Sequence, residues 1–510
     1  MKKNILKTFY FIIVIGLILF ITGCGIDINL DPYKDGKTPE NDFTLNNLLS
    51  NNMIIQQNKS FSIKGVSEQG VILTATIYDE EGDVVSQTIT LAGDEGEFEL
   101  KIAGVQGSNN RYRLEVSDGL HTHKFRNIMF GEVWMIAGEV TIDEEYIDES
   151  DDANLDNIKF VKYYNNKLSW FDYDDATEFS ENTKSLATYL NVKLNMPVAI
   201  IDATLEECNA DAWLPKKVAT NYSTIKKFLL SINRYNNSRN TIPNKNELGS
   251  MYNTYIDAIE EFEIAGIIWN QGISDFKYYN EENKGTFVTN YSYILLQIFT
   301  EFNNAFEDID IYSIQDCELN DFYANHLRYA QAIPSYQLNN VELITTYDSF
   351  EILSKNDDEE DVEVVVDEEV EDEEVENEII EYEFSIEMYM NRIFDCIYHC
   401  TYKKDSNYQT PSFNEVLTND NIIKISFSCS SLDDAIEELF GLVVLNEDEE
   451  MEFKYQIVNN SIIITLELED DVKMKDLDLT IRYGFVDELH RCNLKSNMGI
   501  AVIPFEIKIN

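Results

Sequence analysis

Hydrolytic chemistry needs a group that attacks, a base that takes its proton, and donors that hold the charge that develops. The stretch that frames the search is Gly131-Glu132-Val133-Trp134-Met135-Ile136-Ala137-Gly138-Glu139-Val140. Val133 to Ala137 is an unbroken apolar run closed by a glycine, the pattern of a strand buried on both faces with a sharp turn at its carboxyl end. Ligands of open α/β sheets bind just outside that end. The candidate residues are therefore Gly138, Glu139, Val140 and Thr141. Only Thr141 carries a hydroxyl, and a hydroxyl is a weak nucleophile without a base in reach. The five histidines are His121, His123, His326, His399 and His490. None has the surroundings of a catalytic base, and each reads as a surface or packing residue.

The elements that must position these groups follow in order. Ser180 to Leu194 has a helical period, with Leu186, Leu190 and Leu194 on one face. Pro197 stops it, and Val198-Ala199-Ile200-Ile201 is a short buried strand, so the pair is a βα-type unit. A second helix is expected over 286–304 and strands over 309–315 and 341–346. Before this α/β region, Val71, Leu73, Ala75 and Ile77 alternate, as do Phe98, Leu100 and Ile102, and Tyr112, Leu114 and Val116. Turn-rich pieces separate them, the mark of a small β-sandwich. After it, Ile423, Ile425 and Phe427, then Phe453, Tyr455 and Ile457, then Ile462 to Leu468 alternate again.

The order of these blocks resembles the sialate O-acetylesterase family, esterases of the SGNH-hydrolase type. That family reads G-E-V-W-x-x-x-G-Q-S-N-M, and its serine is the nucleophile; here Gly131 to Trp134 and Gly138 match, and Val140 stands at the serine. Asn52-Met53-Ile54-Ile55-Gln56 resembles the family's N-M-V-L-Q. Ile200 to Trp213 resembles L-I-N-S-S-W-G-G-T-x-I-E-A-W, with Asp211-Ala212-Trp213 on E-A-W and Glu206-Glu207 on the two glycines. The resemblance puts an oxyanion-binding backbone N–H there, where a glutamate adds bulk and negative charge. Gly266 to Asp275 resembles G-V-I-W-Y-Q-G-E-S-N/D: Trp269, Gln271 and Gly272 match, and Ile273 replaces the glutamate. The resemblance makes Gln271 an oxyanion donor, although a loop-bracing role fits it equally. Leu327-Arg328-Tyr329-Ala330-Gln331 matches L-R-x-A-Q, and the closing Thr480 to Phe505 resembles V-R-Y-A-W … N-L-Y-N … P-F. The family's D-x-H-P or D-x-x-H motif is missing, and residues 382–385, where its histidine should stand, hold none.

The resemblance implies a parallel sheet with helices on both faces, flanked by β-sandwich-type domains. The expected organisation is a signal peptide at 1–23, a tether at 24–42, a β-sandwich at 43–130, an α/β domain at 131–404 and a second β domain at 405–510. An acidic insertion at 356–381 interrupts the α/β domain; charge of one sign at that density favours disorder, and the spacing and turn glycine of an EF-hand are absent. Lys2, Lys3 and Lys7 precede the apolar run Phe9–Ile21, which ends in Ile21-Thr22-Gly23-Cys24, a lipobox-like close. Lipidation of Cys24 and an extracytoplasmic, membrane-anchored location are expected.

Thirty-nine Lys and Arg face 93 Asp and Glu, a net charge of −54. Such a surface repels nucleic acid and anionic lipid and keeps the body soluble. Cys208, Cys317, Cys396, Cys400, Cys429 and Cys492 show no metal-binding spacing, and Cys396 and Cys400, four apart on an expected helix, read as small buried residues. No cofactor or metal is expected. The site that remains is a vestigial pocket formed by Gly138, Glu139, Val140, Thr141, Glu206, Glu207, Trp269, Gln271, Gly272 and Ser274. Trp134, Trp213 and Trp269 are candidate walls, with core packing the stronger expectation. The sequence reads as a pseudo-esterase that binds glycan or serves as a scaffold. The alternative is an active carbohydrate O-acetylesterase with Thr141 or Ser274 as nucleophile.

Overall fold

The computed structural model describes residues 43–45, 48–140, 146, 152–236, 241–280, 284–307, 309–315, 324–353, 381–447, 449–468, 472–486 and 488–509. Cys24, Thr141, Cys317 and all of the acidic insertion but its last residue lie outside them.

The amino-terminal part holds β1 (Thr44–Leu45), β2 (Ile54–Gln56), β3 (Phe61–Val66), β4 (Ile72–Tyr78), β5 (Val84–Leu91), β6 (Glu97–Ile102), β7 (Ser108–Ser117) and β8 (Thr122–Gly138). β1, β3 and β6 form one sheet; β5, β4, β7 and β8 are paired in that order. Phe61, Ile63, Leu73, Leu100 and Leu114 are buried within this part. β5 escapes the alternation rule because its pattern is inverted. Ser86, Thr88 and Thr90 are half-buried while Ile89 and Leu91 are exposed.

β8 is the axis of the molecule. Its 17 residues begin in the β region and end in the α/β sheet, so the boundary expected at residue 130 falls inside one strand. The sheet continues through β9 (Ile158–Tyr164), β10 (Lys167–Asp172), β11 (Val198–Thr204), β12 (Gly266–Asn270), β13 (Asp310–Ile314) and β14 (Val341–Ile344), in the order β10-β9-β11-β8-β12-β13-β14. All neighbours in that order are parallel except β10. Burial on both faces explains the unbroken apolar run. Val133, Met135 and Ala137 face one core, together with Trp213, Phe299 and Phe302; Trp134 faces the other. The helices follow suit: α1 (Glu181–Leu194) packs with the second core, and α2 (Ile273–Phe276), α3 (Lys284–Ala305) and α4 (Ala324–Gln337) follow β12 and β13. Ser180 caps α1 by accepting from Thr183 N, and Asn195 ends it in the left-handed conformation.

Past β14 the chain makes a hairpin of β15 (Phe350–Leu353) and β16 (Glu381–Phe384), then α5 (Ile386–Ile397), which joins α1 on the second core. Glu381, expected to end the insertion, begins a strand instead, because it pairs with Leu353. The carboxyl-terminal part has two four-stranded sheets: β17 (Phe413–Asn419), β18 (Ile422–Phe427), β22 (Ser461–Leu466) and β21 (Phe453–Val458), and β20 (Glu449–Glu450), β19 (Leu442–Asn446), β23 (Leu479–Tyr483) and β24 (Phe505–Ile509). They share a core of Ile423, Ile425, Ile462, Ile464, Val444 and Ile481. Tyr347 enters that core and donates to Val502 O at 2.6 Å.

Two glycines set the close approaches along β8. A Cβ on Gly131 would stand 2.0 Å from Pro197 O, and one on Gly138, at φ +110°, 2.0 Å from Asn270 O. Gly138→Ala combines a forbidden conformation with that clash. It is expected to lower the unfolding free energy by about 2 kcal/mol or more, read as a shift of the urea midpoint.

Candidate functional site

The carboxyl ends of β8, β11, β12 and β13 meet a cleft of about 260 Å³. Val140 lines it, 51% exposed, with Ile136, Ile268 and Ile314 from the sheet and Tyr389, Ile393 and Phe394 from α5. The position that the resemblance gives to the nucleophile therefore holds an open apolar side chain with no atom that attacks.

Glu139, beside it, is 3% exposed. Its main-chain N–H donates to Asn270 O at 2.7 Å, and Leu205 N donates to Gly138 O at 3.1 Å, which locks the turn to both neighbouring strands. Its carboxylate accepts the N–H of Gly272 at 2.7 Å and of Ser274 at 3.1 Å. A buried carboxylate must be satisfied, and here the orphan amides at the start of α2 do it.

Gln271 lies below, 1% exposed. One amide nitrogen carries its two donors, and that nitrogen meets Cys208 O at 2.7 Å and Asp275 Oδ2 at 2.8 Å. Gln331 of α4 holds the Gln271 carbonyl at 2.7 Å. The segment Leu327 to Gln331 thus braces the site: Gln331 fixes the β12 loop, and the buried Arg328 donates to Asn325 Oδ1 at 3.0 Å. Asp275 also accepts from Asn209 Nδ2, Ala210 N and Tyr291 OH. Burial, then the nearby charges of Glu139 and Asp211, push its carboxyl up to about 7 despite those bonds. Asp211 itself is buried and paired with Arg234 at 2.8 Å.

Several expected residues stand elsewhere. Glu206 and Glu207 are exposed and do not line the cleft. Glu207 takes φ +52°, and its carbonyl accepts from Asn246 Nδ2. The negative charge they were expected to bring to the site comes from Glu139 and Asp275. Trp269 is core, edge-on to Trp213 at 5.7 Å and to Phe299 at 5.6 Å; Trp134 and Trp213 are fully buried as well. None of the three is a cleft wall. Ser274 is half-buried, and among the described residues its hydroxyl bonds no histidine. Thr141 lies outside the described residues.

The segment after β14, where an acid and a histidine belong by resemblance, is a clamp. Asp348 is buried and paired with Arg392 at 3.1 Å and Lys495 at 2.9 Å. Burial opposes ionisation there, but Arg392 and Lys495 hold the carboxyl below its usual range. Residues 382–384 belong to β16, and the ring of His490 lies 4.5 Å from that of Tyr382. Burial lowers the pKa of His490.

One polar group in the cleft gave no sequence signal. Lys162 Nζ meets Asp202 Oδ2 at 3.0 Å and the Glu178 carbonyl at 3.1 Å. Thr204 donates its hydroxyl to Asp202 Oδ1 at 2.6 Å. Lys162 comes from β9 and Asp202 and Thr204 from β11, strands that pair in parallel, and Glu178 from the segment between them.

The architecture is an esterase-like α/β fold with β-rich domains. Among solved structures it is similar to a carbohydrate acetylesterase from Xanthomonas citri, with a TM-score of 0.64 at 16% identity over 91% of this chain and 99% of that one. A protein from Arabidopsis thaliana and a family two carbohydrate esterase from Cellvibrio japonicus align with TM-scores of 0.28 and 0.22, at 11% and 10% identity. They cover 42% and 57% of this chain, and 84% and 77% of their own lengths. No family model matches the sequence, and no curated protein matches it.

The pKa shift has a sign. Asp275 is raised in the fold, so the stability tied to its protonated form is complete below about pH 4 and is lost as pH rises through about 7. Glu139→Gln removes one of the charges that raise it. The loss should then be smaller and complete at lower pH, read from urea midpoints between pH 4 and 9. Glu139→Ala leaves two amides without their acceptor and should cost about 1–3 kcal/mol.

Proposed function

We propose that this chain is a catalytically silent relative of the carbohydrate esterases, closest in sequence pattern to the sialate type, that serves as a glycan-binding or scaffold protein. One observation carries the reading: Gln271, the side-chain donor that the resemblance gives to an oxyanion, is already engaged, and so are the amides of the loop that follows it. Both amide hydrogens of Gln271 meet Cys208 O and Asp275, and the N–H groups of Gly272 and Ser274 meet the Glu139 carboxylate. A developing oxyanion would have to displace a full negative charge from those amides. Val140 also leaves the position without a nucleophile, and the loss of a nucleophile alone lowers kcat by about a millionfold. The basic–apolar–Cys24 layout supports a lipid-anchored, extracytoplasmic location, and the net charge of −54 supports a body held off anionic surfaces.

The alternative, an active carbohydrate O-acetylesterase with a rebuilt site, draws on Thr204, whose hydroxyl points at the Asp202 carboxylate. That carboxylate is already engaged by Lys162 Nζ at 3.0 Å.

The test treats the full chain, purified in detergent, with a fluorophosphonate probe and an aryl acetate. Neither covalent labelling nor turnover above buffer is expected. Val140→Ser is expected to stay inactive, because a serine alone supplies neither base nor free donors. Labelling of the wild type, or turnover abolished by Thr141→Ala, Thr204→Val or Ser274→Ala, would contradict the reading. A carbohydrate array on the same sample separates the binding module from the scaffold.

A further inference from the structure

β5 is an edge strand. It pairs with β4 along one side, and among the described residues no strand pairs with the other. The pairing is regular from Ser86 to Leu91, because the register shift of this hairpin lies at its Tyr78 end. The free side presents a row of backbone N–H and C=O groups, which folded proteins normally blunt with charge, proline or brevity. The other edges follow that rule. Among the described residues β6, β10, β14, β15, β16, β17, β21 and β24 each carry a charged residue, and β1 and β20 are two residues long. β5 is eight residues with neither charge nor proline, in a chain of net charge −54.

Its outward face is apolar. Ile89 and Leu91 are 66% and 63% exposed, and Ile72 of β4, directly opposite Leu91, is 53% exposed. A strand added to the free side lays its outward side chains beside Ile89 and Leu91 and forms cross-strand pairs with them. Both ends of β5 are acidic. The turn before it holds Asp79, Glu80, Glu81 and Asp83, and the turn after it Asp94 and Glu95. Arg113 of β7, over the ring of Tyr78, is already paired with Glu115. These charges select the occupant. Two copies of β5 side by side, antiparallel or parallel, set an acidic turn against an acidic turn at each end, which opposes self-pairing. A segment that is basic at both ends meets opposite charge at each.

We propose that β5 is a docking edge for an extended segment of another polypeptide, with an uncharged, β-branched centre and Lys or Arg at both ends. The segment extends the β5-β4-β7-β8 sheet by one strand. Main-chain hydrogen bonds to β5 hold it, Ile72, Ile89 and Leu91 pack against its alternate side chains, and the acidic turns fix its ends. The surface is separate from the cleft and independent of whether the chain is catalytically silent.

The test uses the full chain, purified in detergent, and labelled peptides followed by fluorescence anisotropy. A Val–Thr repeat between pairs of lysines is expected to bind, and to weaken as NaCl rises from about 50 to about 500 mM. The same repeat between pairs of glutamates is expected to bind about tenfold more weakly or worse. So are the same lysines around a centre with proline at alternate positions, which lacks the N–H groups an edge needs. Ile89→Lys, at an exposed side chain, is expected to lower the affinity of the first peptide to a similar degree. Leu417→Lys, equally exposed on β17 and equal in charge change, is expected to leave it unaltered. Amide exchange in Val84–Leu91 is expected to slow when the first peptide binds. The proposal is overturned by no binding of that peptide, by equal binding of the proline peptide, by unchanged affinity in Ile89→Lys or by unslowed exchange in Val84–Leu91. A dimer of the unaltered chain that Ile89→Lys disperses would overturn it as well, and assign the edge to a second copy.

Discussion

A buried carboxylate needs donors, and in this molecule the need of Glu139 is met by the backbone N–H groups of Gly272 and Ser274. Much of the site's architecture depends on that contact. It ties the turn after β8 to the loop after β12, and that loop is held from below by Gln331 and by Asp275. Asp275 in turn gathers Asn209 and Ala210 from the segment after β11. Three strand ends are thereby closed into one polar layer over an apolar core of Trp213, Trp269 and Phe302. In a low-dielectric layer of this kind the bonds are strong when complete and costly when one is missing.

The contact also decides where negative charge sits beside the cleft. By resemblance the position of Glu139 belongs to a glutamine and that of Ile273 to a glutamate. Here the carboxylate stands on the β8 side of the contact and an apolar residue on the other. A negative charge there satisfies the fold and opposes any second negative charge. The residues of the framework blocks join elements to one another. Gln56 donates to Glu132 and accepts from Val133 N, which joins β2 to β8, and Asp211 pairs with Arg234.

The fold was legible where a period or a stop residue forces it. Val133 to Ala137 could only be a doubly buried strand, and Ser180 and Pro197 bracket α1 because one caps and the other cannot continue a helix. β5 was not legible, because its apolar residues face solvent and its hydroxyls face inward. The site was legible only in part. By resemblance Val140 stands where a serine is expected. That Glu139 fills the amides of Gly272 and Ser274 depends on the approach of two loops 133 residues apart, which no local pattern encodes. The same holds for Lys162, Asp202 and Thr204. Glu206 and Glu207 misled for a related reason: their order in the chain places them at the site, but the turn sends both side chains outward.

The most direct measurement is amide hydrogen exchange in the peptide that spans Asn270 to Phe276, compared between the wild type and Glu139→Ala. The account predicts that the Gly272 and Ser274 amides are protected in the wild type and exchange at least tenfold faster in the variant, while peptides from β8 and β11 are unchanged. Fast exchange at those two amides in the wild type would mean that the donors are free, and the claim that Glu139 closes the site would be wrong.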